Sequence, residues 1–201
     1  MRLLLRLIVA ILVIAGMWAL AAGALFMAGG ISARQEPSKL ESALAPRLRS
    51  MAIPSAAKNT PNPVPASAEV VKAGMDHFAD HCAVCHGNDG SGDTEMGRHL
   101  YPRVPDMRQT ATQNLTDGEL FYIIENGVRL TGMPAWGGEH GGGDSSWKLV
   151  HFIRHLPKLT PDELKEMKRL NPKGPDDQID PDEFLKGGEA PHEHTHGRGG
   201  K

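Results

Sequence analysis

This sequence predicts a helical chain whose first helix is long enough to cross a membrane. Three observations carry that expectation. Leu7 to Ala28 run without a charged side chain. Later helices start near Ser67, after Pro65, and at the caps Thr116 and Asp144, each with apolar residues at helical spacing, and a second capping box at Thr160 opens a short one. No βαβ pattern is visible, and Tyr101-Pro102-Arg103-Val104-Pro105-Asp106-Met107 can hold neither a continuous helix nor a central strand. With 23 Gly and 15 Pro in 201 residues, the chain has room for one small domain plus appendages.

Residues 1–30 read as a membrane anchor. Twenty-two apolar residues, Leu7 to Ala28, at ~1.5 Å each span ~33 Å, enough for a bilayer core. Arg2 and Arg6 precede the run with no acid among them, while Arg34, Glu36 and Lys39 follow as a mixed set. The positive-inside rule then puts the N-terminus in the cytoplasm and the rest on the periplasmic face of the inner membrane. A signal peptide cut after Ala33 is the alternative, and it exports the chain equally.

Residues 31–66 read as a linker. Leu40, Leu44, Leu48 and Met51 make an apolar row at helical spacing, interrupted by Pro46 and accompanied by Lys39, Arg47 and Arg49. The row is either a basic amphipathic piece on anionic headgroups or a nascent helix in solvent. Thr60-Pro61-Asn62-Pro63-Val64-Pro65 is a stiff strap. A flexible linker of about 35 residues reaches ~30–35 Å.

Residues 67–157 carry the chemistry. Val70, Gly74, Phe78 and Cys82 repeat every four residues and lead into Cys82-Ala83-Val84-Cys85-His86, which holds the only two cysteines of the chain. C-x-x-C-H reads as a c-type haem attachment site. Two thiols one helical turn apart suit two vinyl groups of one porphyrin, and the next residue presents imidazole to the iron. A zinc site needs a second Cys/His pair at matching spacing, and a redox pair needs a βαβ context. Neither is present. Gly87-Asn88-Asp89-Gly90-Ser91-Gly92 ends the helix, and it lacks the lysine of a phosphate-binding loop. In the irregular stretch 93–115, Tyr101 and Arg103 are candidate donors to a haem propionate.

Thr116-Asp117-Gly118-Glu119 is a capping box opening a helix with Leu120, Phe121, Ile123, Ile124 and Val128 toward a core, stopped at Asn126-Gly127. Gly132-Met133-Pro134-Ala135-Trp136 follows, presenting a thioether on a rigid turn 47 residues after His86. Met133 is the candidate sixth iron ligand; Met96, Met107, His99 and His140 are its rivals. Trp136 either donates its indole N–H to a propionate or caps the pocket. Asp144-Ser145-Ser146 caps a last helix, Trp147 to Leu156, whose apolar stripe crosses the Gly74/Phe78 face; Gly74 permits close approach.

With Cys82-Ala83-Val84-Cys85-His86 and Gly132-Met133-Pro134 both in place, the region resembles a class I monohaem cytochrome c. It is similar in particular to the small bacterial cytochrome subunits of oxidases and dehydrogenases. The resemblance covers under half of the chain. It implies an all-α cytochrome c fold of three or more helices around one covalent haem c, with thioethers at Cys82 and Cys85, His86 as proximal ligand and Met133 as distal ligand.

Residues 158–201 read as a short helix, opened by the Thr160-Pro161-Asp162-Glu163 box, and a disordered tail. His192, His194 and His196 alternate there, a pattern that chelates Cu²⁺, Ni²⁺ or Zn²⁺ weakly. Formal charge is +5 over residues 1–67, −5 over 68–156 and −2 over 157–201. An acidic central module disfavours nucleic acid and favours a basic redox partner. The expected function is a membrane-tethered carrier of single electrons between exported redox partners, and not an enzyme. The alternatives are a haem c subunit of a dehydrogenase or oxidase complex, and a haem sensor or peroxidase-like protein with a labile methionine ligand.

Overall fold

The computed structural model describes residues 2–28, 32–138 and 143–171. Among them every regular element is helical and no strand forms. The expected tail beyond residue 171, with His192, His194 and His196, lies outside the described residues, as does His140.

Helix α1 spans Arg2–Ala28. Its window from Arg2 to Leu25 has a mean hydropathy of 2.6, and none of that window is buried against the rest of the chain. By length and composition it can cross a bilayer.

Helix α2, Lys39–Ala52, runs through Pro46, which therefore does not interrupt the apolar row. The proline removes only the bond its N–H would give Ser42, and a capping box offsets that loss: Ser38 accepts from the Glu41 N–H while Glu41 accepts from the Ser38 N–H. The rest of the expected linker is not free either. Helix α3, Ser55–Lys58, packs on helix α8, Asp117–Asn126. A Cβ on Gly118 would lie 1.9 Å from the Ala57 carbonyl oxygen, so only glycine lets the two meet. The strap then lies along the last core helix, where Asn62 Nδ2 donates to the Trp147 carbonyl and His151 Nε2 to that of Val64.

The core is a crossed pair, helix α4 (Ala68–His81) against helix α9 (Asp144–His155), with α8 on one side. Phe78 and Phe152 are fully buried with ring centroids 5.1 Å apart, and Phe121 stacks on Trp147 at 4.0 Å. Gly74 sits at the crossing, as its spacing predicts. Helix α9 begins earlier than the sequence suggests, at Asp144, with Gly143 as its N-cap and no capping side chain. Gly143 has φ 82°, a left-handed conformation that glycine adopts freely. The Ser146 expected in the cap is instead buried.

Three short helices complete the domain: α5 (Ala83–His86), α6 (Glu95–His99) and α7 (Thr110–Gln113). Helix α10, Pro161–Leu170, opens on the predicted Thr160/Glu163 box and buries Met167 against α4. Arg154 ties α9 to α8 and to the segment before it. It donates to Asp117 Oδ1 and to the carbonyls of Gln113 and Leu115.

Candidate haem centre

Helix α4 ends where the motif begins. Cys82 closes α4 and opens α5, and its carbonyl accepts from the N–H groups of both Cys85 and His86, at 3.2 and 2.9 Å. That tight turn places the two thiols one turn apart. Gly87, at φ 77°, then reverses the chain.

Both cysteines are half-buried free thiols. Burial pushes the Cys82 thiol up to about 12 and the Cys85 thiol in the same direction, so both are held as thiols. His86 is buried and packs near Phe78, with ring centroids 6.3 Å apart. Desolvation pushes its imidazole down to about 4, so the ring is neutral at physiological pH. Its buried Nδ1 has no hydrogen-bond partner. An unsatisfied buried nitrogen costs about 1–3 kcal/mol, and a neutral imidazole is the form that binds a metal. These residues fit a covalently attached haem: two thiols for thioethers and one neutral, under-partnered imidazole beside them.

The loop after the motif is fastened to it by residues that sequence reasoning missed. Thr94, fully buried, donates to the Cys85 carbonyl at 3.0 Å and accepts from the Gly97 N–H at 2.8 Å, capping α6. A Cβ on Gly97 would lie 2.6 Å from that same Cys85 carbonyl oxygen. The threonine before Glu95 is a readable N-cap signal; its reach back to Cys85 is not.

The Gly132–Trp136 turn is laced to the end of α8. The Met133 carbonyl accepts from the Val128 N–H, the Met133 N–H donates to Thr131 Oγ1, and the Trp136 N–H donates to the Ile124 carbonyl. The turn also touches chain on both sides of the motif. His81, next to Cys82, lies 5.3 Å from Trp136 between ring centroids, and a Cβ on Gly132 would press into Leu100 at 2.7 Å. Met133 is half-buried. Its rivals are placed otherwise. Met96 is 50% exposed, His99 is exposed at the end of α6, and Met107 packs against the core with its N–H on the Gly90 carbonyl.

Tyr101 and Arg103 meet carboxylates from the linker. The Tyr101 hydroxyl donates to Glu41 at 2.9 Å, and Arg103 pairs with Glu36 at 2.8 Å.

Residues 69–153 match the family model for subunit III of cbb3-type cytochrome c oxidase, a stretch enclosing both the C-x-x-C-H motif and the Met133 turn. This region is a monohaem c-type cytochrome domain. Two curated relatives are similar to the cytochrome. The cbb3-type cytochrome c oxidase subunit FixP of Azorhizobium caulinodans is 35% identical over 82 residues, which is 36% of this chain and 23% of FixP. Subunit FixPc of Rhizobium leguminosarum bv. viciae is 35% identical over 94 residues, 46% of this chain and 30% of FixPc. The chain thus spans less than a third of the length of either relative. The domain binds haem c covalently, and α1 is long and apolar enough to tie it to a membrane.

Proposed function

We propose that this cytochrome passes single electrons within or to a membrane oxidase complex, through one haem c held outside the cytoplasm by α1. The observation that supports this most is the match over residues 69–153 to a cbb3-type oxidase subunit, together with relatives named as such subunits. Oxidase-complex membership, an alternative in the sequence reading, becomes the preferred form of the carrier. Bound haem supplies a one-electron iron couple. Cys82 and Cys85 would hold it covalently, and His86, with its neutral ring, and Met133, with its thioether, would be the residues offered to the iron. A haem held by both His86 and Met133 would have its potential raised by that ligand pair, which would suit electron transfer. Trp136 closes the Met133 turn over His81. For Tyr101 and Arg103 the propionate role competes with Glu41 and Glu36, which take the same donors.

Affinity purification of the full chain from gently solubilised membranes tests this reading. A stoichiometric oxidase subunit set supports it, whereas isolation with only sub-stoichiometric redox proteins returns the chain to a free tethered shuttle. A ferrous form that binds CO without denaturant would instead favour the sensor or peroxidase-like class.

A further inference from the structure

Helix α2 keeps its polar side toward the haem domain and leaves its apolar side bare. Leu40, Leu44, Leu48 and Met51 recur at intervals of four, four and three, so they share one stripe. They are 68%, 41%, 59% and 80% exposed. The only residues of α2 that are even half-buried are Arg49 and Ser50, on the far side of the helix from the stripe, and Ser50 accepts from Lys58 Nζ at 3.1 Å. Glu41 is held at one flank of the stripe by Tyr101, and Glu36 before the helix is held by Arg103. The domain therefore grips α2 without covering its leucines.

What covers them is set by where α2 stands in the chain. Ten residues separate Ala28, the end of the membrane-length helix, from Lys39, the start of α2. Lys39, Arg47 and Arg49 against the single acid Glu41 give the helix a net positive charge. A short, basic helix with one apolar stripe, tied that closely to a span, matches the surface of an anionic bilayer.

We propose that α2 lies in the headgroup region of the membrane that α1 crosses, with Leu40, Leu44, Leu48 and Met51 in the acyl boundary. The haem domain, which holds Glu41 of α2 through Tyr101 and Glu36 just before it through Arg103, is thereby mounted on the bilayer in one orientation. The inference rests on the haem-anchored reading above only in that both haem cysteines are consumed by thioethers.

The full-length holoprotein is placed singly in nanodiscs containing anionic lipid, with Leu44→Cys or Ser42→Cys carrying a nitroxide. The parent chain should take up no label; uptake would mean unbonded haem cysteines and would count against the haem reading, not this one. The label at position 44 should collide with oxygen more than with a water-soluble nickel chelate, and the label at 42 should show the reverse. Adding Leu40→Gln and Leu48→Gln to the position-44 chain should bring its label out into water with the haem spectrum unchanged. A position-44 label open to the chelate in the parent background overturns the proposal. So does one closed to both probes, which means protein covers the stripe, or one still in lipid after both glutamines.

Discussion

Gly74 of α4 passes so close to Lys148 of α9 that a Cβ added to it would lie 2.3 Å from the Lys148 carbonyl oxygen and 2.9 Å from Phe152 Cβ. The oxygen is backbone and the Phe152 ring is locked against Phe78, so neither can yield cheaply. Gly74→Ala should therefore destabilise the domain by about 1–3 kcal/mol despite alanine's better helix propensity. Denaturant unfolding of the holoprotein followed by circular dichroism reads this as a lower midpoint. An unchanged midpoint would mean that the two helices can part at no cost.

Thr94 offers a test nearer the haem motif. Thr94→Val keeps the shape but leaves the Cys85 carbonyl without its hydroxyl donor and the Gly97 N–H without its acceptor. Losing a cap and a buried bond together should cost about 2 kcal/mol. The loss should be local: amide exchange at Gly97 and Arg98 should accelerate, while exchange in α9 keeps its parent pattern relative to global stability.

Met133→Ala separates the ligand from its rivals. The ferric parent should show the weak near-infrared sulfur-to-iron band, and the variant should lose it and bind CO when reduced. Met96→Ala and Met107→Ala should keep the band. Should it survive Met133→Ala and vanish in either of the others, the distal ligand is misassigned.

Asp106 carries a pH signature. Arg108 donates to it from Nε and Nη2, and these hydrogen bonds hold the Asp106 carboxyl at about 2, below its ordinary 3.8. A depressed folded-state pKa adds stability at neutral pH, and that stability is lost as pH falls through 3.8 toward 2. Asp106→Asn should thus cost up to about 2 kcal/mol at pH 7, and the gap to the parent should shrink steadily below about pH 4. Melting curves of both proteins between pH 3 and 7 check the sign; a gap that widens in acid refutes the assignment.

The helices were legible where apolar spacing and a cap coincided. Thr116/Glu119 and Thr160/Glu163 form the boxes their sequence announces, and Gly74 marks the crossing because only a missing side chain lets the backbones touch. The motif at 82–86 is legible because its chemistry is rigidly spaced. Less legible was anything decided by distant partners. Pro46 argued locally for a break, but the Ser38/Glu41 box and the grip of Tyr101 on Glu41 keep α2 whole. Gly143 capped α9 without any of the side chains that advertise a cap. The strap looked like free tether because Asn62 and His151, 89 positions apart in sequence, give no local hint of the carbonyls they meet.

That strap sets how far the cytochrome can travel. With α3 seated on α8, residues 62–64 tied to α9 and Glu36 paired with Arg103, at most the ten residues between α1 and α2 set the tether, ~16–19 Å of typical reach if flexible, against ~30–35 Å for a free linker of 35. Gly118→Ala tests the seat without weakening α8, since alanine favours helix and the new Cβ strikes α3 and the turn after it, 1.9 Å from the Ala57 carbonyl oxygen and 2.9 Å from that of Thr60. Forcing α3 away should also strip Thr116 Oγ1 from the Lys58 carbonyl. Lys58 is half-buried in the parent and should resist trypsin there. In the variant, cleavage after Lys58 should accelerate on the order of ten-fold, the ratio that ~1.4 kcal/mol of overpacking gives, with an unchanged haem spectrum. Equal cleavage rates in the two proteins would mean that the segment is already loose and that the longer reach applies.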